Sequence, residues 1–86
     1  MSVHQSHPAI ISRLKKAEGH LKSVITMMDA GKPCLDLAQQ LHAVEAAISK
    51  AKRELIHDHM EHCLEDGRGA ETKAALQELK ELAKYL

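Results

Sequence analysis

From Cys34 to Asp66 the chain contains neither glycine nor proline, and Leu37, Leu41, Val44, Ile48, Ala51 and Leu55 recur through it in steps of four and three. That spacing brings an apolar residue back to one side of an α-helix at every turn, so the segment predicts a single amphipathic helix of about 29–31 residues. An average helix has about 11–12 residues. A seam this long has to be covered by something.

Two shorter patterns flank it. Pro8 suits a first helical turn, Ile11, Leu14, Leu21, Val24, Ile25 and Met28 repeat at helical spacing, and Gly31 ends the run before Lys32 and Pro33. Beyond Gly67, Arg68 and Gly69, a third pattern over about residues 71–86 places Ala75, Leu76, Leu79, Leu82, Ala83 and Leu86 on one face. No strand alternation and no internal repeat interrupts this. The sequence predicts an all-α fold of three helices in a single domain, 1–86, with residues 1–7 as a mobile arm.

The flanking helices are too short to cover the middle one. The chain has no Trp, no Phe and one Tyr, Tyr85, so its core must be built from smaller aliphatic side chains that each bury little area. A chain of 86 residues so composed is marginal as a monomer. The simplest alternative is a three-helix bundle that folds alone, but the unmatched seam favours a dimer in which two middle helices pair. Basic and acidic residues balance at 12 each, so any nucleic-acid surface has to be a local patch. Two cysteines do not make a disulfide scaffold, and no apolar run reaches membrane length. A cytoplasmic protein with reduced thiols is expected.

The chemistry concentrates in residues 55–66, LIHDHMEHCLED. On a helix His59 and Cys63 are four apart and share a face, whereas His57 points nearly the opposite way. Two donors do not define a metal site. Cys34 opens the same helix, 25 residues before His59, which is roughly 37 Å at 1.5 Å per residue. No ion can be shared over that distance within one chain. If two middle helices pack antiparallel about a two-fold axis, Cys34 of one chain comes beside His59 and Cys63 of the other, giving two identical Cys-His-Cys sites. Taken singly, each of these residues is more often a buried thiol or a solvated imidazole than a ligand.

RLKKAEGHL (13–21), Cys34, QQLHAVEAAI (39–48) and LIHDHMEHC (55–63) together resemble the CsoR/RcnR/FrmR family of bacterial repressors over nearly the whole chain. The resemblance implies a three-helix protomer, an antiparallel four-helix-bundle dimer core and a dimer-of-dimers tetramer. It implies a repressor that binds operator DNA in the apo state and is released when an inducer binds at the cysteine site, derepressing a metal efflux or resistance operon. Cys34, His59 and Cys63 match the family's copper-type ligand positions, and Glu78 falls where copper sensors place an acidic residue beside the site. Pro33 stands where some copper sensors have Tyr. The N-terminal ligand position of the nickel/cobalt branch falls on Ser2, with His4 two residues away and His7 five. His4, and less strongly His7, is therefore a further candidate ligand, and Ni(II)/Co(II) is preferred over Cu(I) as inducer. A formaldehyde-responsive repressor using Cys34 is the alternative within the family. His59 counts against the persulfide-sensing branch, which has Cys at that position.

Arg13, Lys15, Lys16 and Lys22 cluster in the first helix, and Lys50, Lys52 and Arg53 in the second. Such runs are ordinarily solvated faces. The resemblance implies instead that Arg13, Lys50 and Arg53, supported by Lys15 and Lys16, face DNA. A metal-storage or chaperone bundle would carry more thiols. An enzyme would need a nucleophile–base pair or a phosphate loop, neither of which is legible.

Overall fold

A computed structural model describes residues 7–66 and 73–86, with backbone alone for 62–66. Three helices follow one another: α1 (His7–Asp29), α2 (Cys34–Asp66) and α3 (Lys73–Ala83). Among the described residues there is no strand, and no helix is long and apolar enough to cross a membrane. The middle helix has 33 residues, slightly more than the seam predicted, while α3 is shorter than its apolar pattern and gives way to a turn at Lys84. His7, expected in a mobile arm, is instead the first residue of α1, ahead of Pro8. Proline is well placed there, because a first-turn N–H has no helical acceptor to lose.

The α1–α2 connection is set by Gly31. Its φ of 73° is the left-handed conformation that a Cβ would strain. With that turn made, Gly31 N–H donates to Met28 O at 3.0 Å and Lys32 N–H to Met27 O at 3.1 Å. These two bonds form a Schellman motif that satisfies the last carbonyls of α1. The chain reverses within a few residues, Pro33 O accepts from Leu37 N–H, and α2 runs back antiparallel to α1.

The hairpin packs on a narrow stripe. Ile10, Ala17 and Val24 are buried on α1, and Val44, Ala51 and Ile56 on α2. Ile10, Ala17 and Val24 lie seven apart, as do Val44 and Ala51, a spacing that keeps each set on one side of its helix. The apolar positions predicted from the sequence fall largely outside this stripe. Leu14, Leu21 and Ile25 on α1, and Leu41, Ile48 and Leu55 on α2, are all exposed. Helix α3 lies against the C-terminal part of α2, with Ala75, Leu79 and Leu82 half-buried.

The protomer is therefore a long hairpin with a short third helix, 55 × 23 × 14 Å, and its radius of gyration is 17.3 Å. A compact domain of this length would have about 12 Å.

Candidate metal site and basic surface

His59 lies on the part of α2 that α3 covers. It is half-buried, and its Nε2 is 2.5 Å from Oε1 of Glu78 on α3. The two helices place the pair by different means: His59 follows the buried Ile56 by three residues, and Glu78 precedes the half-buried Leu79. A cavity of about 190 Å³ opens here, lined by His7, Leu55, Ile56, His59, Glu78 and Leu82. Three helices thus bring two imidazoles and a carboxylate around one small space with aliphatic walls.

Cys34 is exposed at the opposite end of α2, at the α1–α2 turn. The helix between it and His59 is continuous, so the two are separated by roughly 37 Å. Among the described residues, no three His, Cys, Asp or Glu side chains lie where they could hold one ion. The backbone of Cys63 continues α2, but its side chain lies outside the described residues, as does His4 altogether. The donors are of the right type for a borderline or soft metal, thiolate and imidazole with a carboxylate behind the ring. They are divided between the two ends of one helix.

The basic residues occupy the other side of the hairpin. Arg13, Lys16 and Lys50 share a depression of about 210 Å³ with Ala17, His20 and Ala47. Lys50 also borders a shallower groove of about 700 Å³, lined further by Arg53, Glu54, His57, Asp58 and Glu61. Lys15 is exposed but stands about 200° around α1 from Arg13, and so does not join this face. Two contacts link the helices along this face. His20 Nε2 and Gln40 Oε1 are 2.6 Å apart, and Arg13 Nη1 is 3.1 Å from Glu54 Oε1. Neither Gln40 nor Glu54 stands out in the sequence. Each is far along the chain from its partner, and only the antiparallel hairpin pairs them.

The described residues thus form a helical hairpin with a thiol at its turn, an imidazole–carboxylate pair at its open end and cations along one side. Residues 6–86 match the family model for the metal-sensitive transcriptional repressors, and the chain belongs to that family. It is 38% identical over 81 residues to the copper-sensing transcriptional repressor CsoR of Mycobacterium ulcerans (strain Agy99), covering 90% of this chain and 67% of that protein. With the copper-sensing repressor CsoR of Bacillus subtilis (strain 168) it shares 32% identity over 76 residues, covering 87% of this chain and 75% of the relative. The nickel-responsive transcriptional regulator InrS superposes with a TM-score of 0.82 at 30% identity, covering 100% of this chain and 99% of that one. The chain spans about two thirds of the length of its mycobacterial relatives.

Proposed function

We propose that the protein is an operator-binding repressor whose DNA affinity falls when a metal ion binds between two copies of the chain. In this reading Cys34 of one protomer meets His59 and Cys63 of another, and Glu78 orients His59. The observation that carries it is the His59–Glu78 pair, 2.5 Å apart and at the far end of α2 from Cys34. A histidine that ligates a metal commonly donates its second ring N–H to a carboxylate, which fixes the tautomer and strengthens the donor. The exposed seam supports the second copy. Leu21, Leu41, Val44 and Ile48 line an open apolar groove of about 670 Å³ along the hairpin. Pairing these grooves in antiparallel fashion joins two α2 helices and places the ends that carry Cys34 and His59 side by side. A dimer of such dimers is the assembly proposed.

Ni(II) or Co(II) is the proposed inducer. His7 borders the same cavity as His59, and a second nitrogen suits ions that accept four to six ligands. A second reading, Cu(I), has its own support. Cys34, His59 and Cys63 alone make a trigonal soft site, and the CsoR relatives named above are copper-sensing. The deciding experiment is a mobility shift with operator DNA, titrated separately with Ni(II), Co(II), Cu(I) and formaldehyde, for wild type and His7→Ala. Release by Ni(II) or Co(II) that His7→Ala weakens supports the first reading. Release by Cu(I) alone, indifferent to His7, establishes the second. Release by formaldehyde alone removes both.

A further inference from the structure

Within the basic face one cation already has an anionic partner. Arg13 Nη1 is 3.1 Å from Glu54 Oε1, and the two side chains are 45% and 34% exposed. Glu54 stands one turn beyond Lys50 on α2, next to Arg53, and all three border one groove. The carboxylate therefore sits among the cations that would meet DNA. A phosphate approaching Arg13 must either displace Glu54 or accept a negative charge beside it. An arginine already paired within its own protein neutralises the phosphate less fully, so fewer of the counterions condensed on the DNA are released.

We propose that Glu54 sets the strength of the DNA face by competing with phosphate for the Arg13 guanidinium, which lowers affinity and flattens its salt dependence. This rests on the reading above that Arg13, Lys50 and Arg53 face DNA. The opposite role, in which Glu54 holds Arg13 in its DNA-binding pose, asks more of the contact than it can give. It is a water-exposed pair, and such pairs hold long side chains weakly. The repulsion between carboxylate and phosphate acts whatever the pose. Phosphate contacts carry no sequence information, so the effect falls equally on operator and non-operator duplex.

The test measures binding to both duplexes over a range of KCl concentrations for wild type, Glu54→Gln, Arg13→Ala, the double variant and Lys50→Ala. Gln keeps the length and the helix propensity of Glu, so the hairpin is retained. One additional neutralised phosphate is worth a slope of about 0.9, so Glu54→Gln should tighten both duplexes by about three- to eightfold and steepen the slope by about one. Arg13→Ala should remove this gain when combined with Glu54→Gln, and should cost less when made alone. Weaker binding by Glu54→Gln would assign the orienting role instead, and unchanged binding would remove Glu54 from the DNA face; either overturns the proposal. Lys50→Ala is the separate control: if it binds operator as wild type does, the face itself has been misassigned.

Discussion

His59 and Glu78 meet across the α2–α3 contact with Nε2 2.5 Å from Oε1, so the carboxylate selects which ring nitrogen carries the proton. A proton held on Nε2 leaves Nδ1 as the ring position that can offer a lone pair to a metal. The contact also joins α3 to α2, so the third helix reports on the same residue that is proposed to bind the inducer.

Replacing Glu78 should therefore act on the metal and not on DNA. Glu78→Gln is expected to weaken metal affinity by about 10- to 100-fold, the usual cost of losing a carboxylate behind a ligating histidine. Operator binding by the apo protein should be unchanged. Competition with a chelator of known affinity measures the first quantity and a mobility shift the second. Full metal affinity in Glu78→Gln would show that the carboxylate is only a helix–helix contact.

The division of donors between the ends of α2 predicts complementation between defective chains. Cys34→Ala and His59→Ala proteins should each bind no inducer tightly. Mixing and reassembling them should restore one site per mixed dimer, because one interface then keeps Cys34 opposite His59 and Cys63. Thiolate charge-transfer absorption during the titration counts the sites. A mixture as silent as its components, beside a wild type that binds, rules out the cross-chain arrangement.

Arg53→Ala should lower operator affinity and reduce the slope of log affinity against log salt by about one, the loss of one phosphate contact. Lys15→Ala should do less, since Lys15 stands about 200° around α1 from Arg13. Metal affinity without DNA should hold in both. Equal losses from the two substitutions would mean that DNA wraps more of α1 than the Arg13–Lys50–Arg53 face.

The exposed leucines and isoleucines make an assembly prediction. Leu41→Glu and Ile48→Glu each place a carboxylate in the apolar groove of α2, where a second copy would bury it without a partner. Both are expected to shift the protein to smaller species in sedimentation or light scattering while leaving much of the helicity at high concentration. A wild-type protein that is monomeric at micromolar concentration would remove the need for the groove.

The three helices are legible in the sequence because their signals are local. Pro8, Gly31 and the glycines at 67 and 69 punctuate runs whose apolar spacing is helical throughout. Which face packs on which is not legible. Helix α1 has one broad apolar face, on which Leu14, Leu21 and Ile25 stand out over the adjoining stripe of Ile10, Ala17 and Val24 that the hairpin buries. Ala51 belongs to the seam read from the sequence, whereas Ala17 looks like filler there, yet the hairpin buries both. His59 can be singled out by its spacing to Cys63, whereas Glu78 depends on family resemblance, because nothing local ties a glutamate on the last helix to a histidine on the second. Pro8 makes His7 look like the end of an arm, although a residue just before a first-turn proline can belong to the helix. Glu54 is unreadable for a plainer reason: only the hairpin brings it to Arg13.

The unbroken course of α2 makes the distance from Cys34 to His59 a matter of how many residues intervene, with little regard to which ones. One residue inserted anywhere in that interval would swing His59 by about 100° and carry it about 1.5 Å along the axis. In a pair of such helices related by a two-fold axis the error is made at both ends at once, so neither site could be rescued by sliding the partner. The helix is thus a gauge rod: its outward residues can drift one at a time, but its length cannot be edited. New inducer preferences in such a chain are expected from exchanged side chains at the rod's two ends and in the segments that meet them, and histories of gained or lost residues should be found only outside it.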